Sequence, residues 1–530
     1  MRSLRPFLLL ALLLPFTSAI AHAELISAVR VNALNAIGNN SYYTNSGFSG
    51  TNTSQWCTQS QSPSYPTTDT SKLPVMLCDL GALQTINGLS ISPYGANVNN
   101  ITSFTVDFYD TPALSGDPIA SRTFTGLDIQ SGGSAVNLTF DEPVTAKYAK
   151  FTLTGNRNGD RIGVGNVMFD VSSAVTPTSG TCTVANLNDY LVSNLFDKSA
   201  GSTWCSAAAD TSNGYFANNP NPEFTFALDG AKKLSGITVQ AYNVTGNSIK
   251  NFQLSFLDAD GNEIAVDDPS KYSFKMRDST QFTQNYFSFP EVEGVASVKM
   301  TVTSNFRGVG SGGDRIGFAE VYFTTNETNM PVKPTMYNTP MHPDNIVRPI
   351  SASSTMASGT DPTDGNFPLT NLYDGTGTSS GSGVWCSKGL EGDYMDKGFS
   401  PVIEFQMPEE SLYDSFSVWG YGSQGNQMTN FILELKDSDG QLVYAEEFIT
   451  DQSMGVNNFA TFSLGKDYMF STATLTVLDN AYRWYGTSGG DRVGFAEIAF
   501  YQNPNAIPEP STWALLLLGF GGLMVWRKKK

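Results

Sequence analysis

A Trp-Cys pair occurs three times in this chain, and each is followed by a Gly-Asp-Arg turn, an aliphatic residue and Gly. The pairs are Trp56-Cys57, Trp204-Cys205 and Trp385-Cys386. The turns are Gly159-Asp160-Arg161-Ile162-Gly163, Gly313-Asp314-Arg315-Ile316-Gly317 and Gly490-Asp491-Arg492-Val493-Gly494. Tryptophan and turn aspartate are 104, 110 and 106 residues apart (160 − 56, 314 − 204, 491 − 385). Spacing kept this closely restricts the chain to three versions of one domain.

The body of the repeat is strand-like. Ser103 to Asp110, Asn251 to Asp258 and Asn430 to Asp437 align as largely alternating apolar and polar segments, which read as half-buried strands. Asp260-Gly261 and Asp439-Gly440 follow the second and third, a hairpin signal. No segment within the repeats shows a sustained helical period. The spacing predicts an all-β chain of three tandem β-sandwich domains at 24–171, 180–325 and 351–503, with a Pro-bearing linker at 326–350.

Basic residues precede an apolar run and the small-residue site Ala21-His22-Ala23, the layout of a secretory signal peptide over 1–23. At the other end Pro508-Glu509-Pro510 precedes an apolar stretch, 513–526, and the basic tail Arg527-Lys528-Lys529-Lys530. That stretch is 14 residues long (526 − 513 + 1), short of the roughly 20 a spanning helix needs. The three ordered elements resemble the PEP-CTERM sorting signal of Gram-negative bacteria, placed at 506–530. The resemblance implies an exosortase-type enzyme that recognises the motif and removes the tail. It also implies transient contact with the inner membrane through the C-terminal helix, and an association with exopolysaccharide. A simple C-terminal anchor is the alternative. Either way the bulk of the chain is expected outside the inner membrane, in the envelope, on the surface or in the matrix.

A net charge of −18 and a pI near 4.5 exclude nucleic acid as a partner, because phosphate binding needs clustered Lys and Arg. The only histidines are His22, in the signal peptide, and His342, in the linker. A Ser-His-Asp triad or multi-His zinc site is therefore out of reach. Paired-carboxylate glycoside hydrolysis survives on composition, but no isolated carboxylate pair stands out, and the expectation is a protein that is not an enzyme. Of the five cysteines, Cys57 with Cys78 and Cys182 with Cys205 could form bridges within a repeat, leaving Cys386 over. Each Trp-Cys cysteine could equally be a small buried hydrophobe.

Asn371-Leu372-Tyr373-Asp374-Gly375 ahead of Trp385, Asn194-Leu195-Phe196-Asp197 ahead of Trp204, and the closing segments Gly494-Phe495-Ala496-Glu497-Ile498 and Gly317-Phe318-Ala319-Glu320-Val321 resemble discoidin, or coagulation factor type C, domains. The resemblance implies eight-stranded jelly rolls of the galactose-binding-like superfamily, many of whose bacterial members bind carbohydrate. It also implies a structural calcium ion held by Asp374 with Glu497 and by Asp197 with Glu320. Calcium wants six to eight hard oxygens. The first repeat departs, with Asn166 in the Glu place. The same carboxylates could instead cap turns and pair with Arg.

Sugar binding calls for an aromatic face beside polar groups. The third repeat offers Trp419, Tyr421, Tyr482, Trp484 and Tyr485 near loops, and Arg492 and Arg315 offer planar forks of donors for oxygens. Core packing of those aromatics, and turn-internal bonding of the arginines, are the alternatives. Together these features lead to the expectation of an exported, envelope-associated protein that binds polysaccharide or surface glycan. A structural or adhesive protein that binds a protein partner without sugar is the alternative.

Overall fold

The computed structural model describes residues 24–34, 55–58, 73–197, 201–276, 284–308, 311–326, 335–337, 343–355, 367–377, 383–387, 389, 400–422, 424–450, 458–482 and 489–503. The signal peptide and the C-terminal sorting segment lie outside these residues.

The architecture is all-β, as the alternating segments require. A seven-stranded antiparallel sheet runs in the order Glu24–Ile26, Asn166–Val171, Val75–Ser92, Val136–Asn156, Ile101–Tyr109, Ala120–Phe124, with Arg30–Ala33 also on Val75–Ser92. The second sheet repeats this order with Ala174–Val175, Gly317–Thr324, Glu223–Ala241, Gln284–Asn305, Ile249–Leu257 and Ser273–Lys275. The third does so with Ile346–Val347, Ile498–Gln502, Val402–Trp419, Phe459–Asn480, Met428–Lys436 and Leu442–Ile449.

Each sheet bends over itself into a sandwich at breaks in its long strands. Glu223–Ala241 pairs with Gln284–Asn305 at Ala227↔Ser297, then resumes at Lys232↔Val295 and Leu234↔Val292. Gly230 and Gly294, at φ +72° and +73°, sit in that corner, where a residue with a Cβ would be strained. Strands that cross from one layer to the other close the edges and enclose a core. In the second repeat that core includes Phe224, Phe226, Phe252, Phe318 and Phe323 around the fully buried Trp204.

Two sequence boundaries need correction. The expected linker 326–350 supplies the strands Thr335–Tyr337 and Ile346–Val347 to the third sheet, and residues 172–179, between the first two expected repeats, supply Ala174–Val175 to the second. Pro177 and Pro349 each stand two residues beyond such a strand, so proline ends the pairing without forbidding it.

The repeats also pack on each other. Leu77, Tyr109, Leu114 and Tyr148 of the first form one buried cluster with Ile432 and Leu478 of the third. At its edge Glu447 accepts from Arg30 Nη2 at 2.8 Å, Lys147 Nζ at 2.9 Å and Tyr148 Oη at 2.7 Å, while Arg30 Nη2 also reaches Asp79 at 2.7 Å. The charged side chains here are at most 9% exposed. Burial alone would push the Glu447 carboxyl up, but Lys147 and Arg30 outweigh it and hold it well below the usual carboxylate range. Between the first and second repeats, Asn326 donates to Thr85 at 3.3 Å and Tyr286 lies over Gly81.

Candidate functional site

Each Trp-Cys pair is a two-residue strand laid against the residues that leave its Gly-Asp-Arg turn. Trp56 faces Val164 and Cys57 faces Gly163; Trp204 faces Phe318 and Cys205 faces Gly317; Trp385 faces Phe495 and Cys386 faces Gly494. The next residue completes a clamp. Thr58, Ser206 and Ser387 donate their amides to Ile162, Ile316 and Val493 at 3.0, 2.9 and 2.8 Å. Their hydroxyls accept the amides of those same residues at 3.2, 3.1 and 3.1 Å. From the opposite side Asn156, Asn305 and Asn480 donate to the carbonyls of Arg161, Arg315 and Arg492. The hydroxyl after each Cys and the Asn before each turn were legible in the sequence as further members of the repeat signature.

A tyrosine covers the glycine after each turn. A Cβ on Gly163, Gly317 or Gly494 would come within 2.7 Å of the ring of Tyr94, Tyr242 or Tyr421, so only glycine fits. Tyr94 donates to the Cys57 thiol at 3.2 Å, and Tyr242 and Tyr421 stand against Cys205 and Cys386 at the matching places.

This geometry corrects several expectations. All five thiols are free, so neither the Cys57–Cys78 nor the Cys182–Cys205 bridge forms. Cys57 and Cys205 are taken up by their tyrosines. Cys78 faces the first core from Val75–Ser92, opposite Val31 and Ala149, and Cys182 pairs opposite Phe224. Burial pushes the Cys182 thiol up to about 11. Trp419 and Tyr421 are 8% and 7% exposed and pack with Val384, Cys386, Phe459 and Ala496. Neither ring offers a sugar a face, because both cover the Trp-Cys clamp. Trp484 and Tyr485 lie outside the described residues.

The two arginines divide their work. Arg315 Nη1 donates to the carbonyls of Ser206 and Ala207 at 2.8 and 2.7 Å, fastening the turn to the Trp-Cys strand. Arg492 pairs with its neighbour Asp491 at 3.1 Å and reaches the Cys386 sulfur at 3.8 Å. Its side chain is 22% exposed, beside an aspartate side chain that is 40% exposed.

Above the turn lies a position with fixed backbone and variable chemistry. Asn158, Arg307 and Tyr482 each donate an amide to the Asn two residues earlier, at 3.0, 3.3 and 3.3 Å. Arg307 leans over Gly313 and donates to Ser212 at 3.0 Å. Tyr482 lies over Gly490 and keeps 37% of its surface exposed. In the third repeat the turn therefore presents an aromatic ring, a carboxylate and a guanidinium together, an arrangement able to stack on an apolar face while bonding hydroxyls. Residue type in the sequence singles out Tyr482 and Arg492, whereas Arg307 and Asn158, at the place of Tyr482 in the other two repeats, carry no such mark and show which position varies.

The carboxylates expected at calcium lie as follows. Asp374 Oδ1 accepts from the amide and hydroxyl of Thr376 at 2.8 and 2.7 Å, a local turn. Glu497 is fully buried and paired through Oε1 with Arg348 Nε. Its Oε2 makes no well-formed hydrogen bond, although the Gly377 amide lies close enough to favour the charged form. Burial raises the Glu497 carboxyl, and Arg348 only partly opposes this. In the second repeat Glu320 lines a cavity of about 30 Å³ with Thr176, Gln240, Gln284 and, from the first repeat, Glu24 and Ser27. Asp197 is exposed, and Asn166 is buried. No three His, Cys, Asp or Glu side chains converge on a metal position among the described residues.

Residues 506–530 match the PEP-CTERM protein-sorting motif, which the chain therefore carries at its C-terminal end. No curated protein matches the chain. Among solved structures it is similar to the CBM32-1 and CBM32-2 domains of Clostridium perfringens ZmpB, at 9% identity over 62% of this chain and 93% of that one, TM-score 0.25. It is similar to a fucolectin from striped bass (Morone saxatilis) serum, at 12% identity over 58% and 100%, TM-score 0.22. The F5/8 type C domain of a Bacteroides fragilis protein is similar at 15% identity over 30% and 97%, TM-score 0.23.

Proposed function

We propose that this is an exported carbohydrate-binding protein whose principal ligand contact is the Gly-Asp-Arg rim of the third repeat, and that it binds rather than transforms its ligand. The observation that carries the reading is the exposed Tyr482 ring, held over Gly490 beside Asp491 and Arg492. A sugar ring has apolar C–H faces and hydroxyl edges, and such a rim answers both. The sorting motif at 506–530 marks the chain as exported. The natural ligand is then an exopolysaccharide or surface glycan of a Gram-negative envelope, with an exosortase-type enzyme processing the tail after transient contact with the inner membrane. Among the described residues no helix is long and apolar enough to cross a membrane; the C-terminal segment lies outside them.

Glycan-array binding of the full mature chain tests the proposal. Tyr482→Ala is expected to weaken the best hit at least about tenfold, equivalent to about 1.4 kcal/mol. Loss of all sugar binding from the wild type, together with capture of a defined envelope protein, would favour the adhesive reading. Sugar binding indifferent to Tyr482→Ala would move the site elsewhere.

A further inference from the structure

The register of the three sheets places one position of each repeat in correspondence. Ile26 pairs with Phe169, Val175 with Phe323 and Val347 with Phe500, the partner lying three residues beyond Asn166, Glu320 and Glu497 respectively. The next residue along is Ser27, Thr176 or Arg348. Only the third repeat puts a cation there. The two hydroxyls at the corresponding places, Ser27 Oγ and Thr176 Oγ1, are buried without a hydrogen-bond partner.

The loop that the family resemblance assigns to calcium closes around this arginine. Gly375 and Gly377 both have positive φ, +81° and +54°. A Cβ on Gly375 would lie 3.3 Å from Arg348 Nε, and one on Gly377 would lie 3.2 Å from Trp419 Nε1 and 3.4 Å from Glu497 Oε2. The chain thus folds over a guanidinium, a buried carboxylate and an indole. Asp374 contributes a repulsive field to Glu497 and spends Oδ1 on Thr376. These residues do not fit a calcium ion. Calcium needs six to eight oxygens, one Glu497 oxygen is already given to Arg348, and a guanidinium beside the carboxylate repels a second cation.

We infer that Arg348 is the third repeat's built-in cation, a covalently held substitute for a bound metal. It pairs with Glu497 and ties the strand entering the repeat to the strand leaving it. The loop that carries Asp374, and through it the packing of Trp419, then holds its shape at any calcium concentration. Arg348 is a positioning residue, because it acts on the fold of the loop end and touches no ligand.

Melting curves and terbium luminescence of the full chain, with chelator or with millimolar calcium or terbium, test this. In Arg348→Ala the melting midpoint falls in chelator and calcium restores it. Terbium then gives emission excited through Trp419, which adjoins Glu497. Arg348→Lys keeps a cation and gives neither response, and Arg348→Ala with Glu497→Gln loses the calcium rescue, which covers the case in which the single variant folds poorly. The inference is overturned by a calcium-dependent midpoint in the wild type that Glu497→Gln abolishes, or by an Arg348→Ala protein that folds but that calcium leaves unrescued.

Discussion

Two regions of this molecule bury a glutamate against an arginine, and they settle its charge differently. At the junction of the first and third repeats Glu447 receives Arg30, Lys147 and Tyr148, and its carboxyl is held down. At the loop end of the third repeat Glu497 receives Arg348, and burial wins, raising its carboxyl. The number of donors that reach the carboxylate decides the outcome. Desolvating a carboxylate costs several kcal/mol, which one partly exposed arginine offsets incompletely and a converging set of donors offsets fully.

Breaking the junction is expected to have the largest effect. Glu447→Ala leaves Arg30 and Lys147 buried with Asp79 as their remaining close counter-charge, and should cost about 3–5 kcal/mol, read by denaturant unfolding. A loss below about 1 kcal/mol would mean that the repeats separate freely in solution. Acid should act next. A carboxyl held below its ordinary value stabilises the fold above that ordinary value, and the contribution is lost as pH falls through the lower, folded one. The wild type should therefore lose its advantage over Glu447→Gln as pH drops below about 4; a gap that stays constant into strong acid would contradict the assignment. The smallest effect belongs to Glu497→Gln. The amide retains an acceptor for Arg348, whose side chain is 31% exposed and can turn to water. The cost should be about 1 kcal/mol or less, and a loss as large as that of Glu447→Ala would erase the contrast between the two regions.

The repeat signature was legible because its parts bond each other locally in space at a fixed spacing. Trp, Cys, the following hydroxyl residue, Asn and the Gly-Asp-Arg turn form one clamp, so all must recur together. The rim was half legible. Tyr482 and Arg492 stood out by residue type, but type could not separate Tyr482 from Trp419 and Tyr421, which the clamp buries. Arg348 was hidden because Pro349 made its surroundings look like a linker. Yet Val347-Arg348-Pro349 mirrors Val175-Thr176-Pro177, a correspondence the sequence did contain.

By itself, the sequence determined that this is a triplicated β chain with a C-terminal sorting motif, because strand alternation, turn residues and a terminal signal are all written in local order. Only the tertiary structure decided which charges are buried and against what. Arg30, Lys147 and Glu447 read as ordinary polar strand residues, and Glu447 lies 417 positions from Arg30. Whether a strand's polar side chain meets water or another repeat depends on how whole sheets dock, and side-chain alternation along one strand carries no record of that.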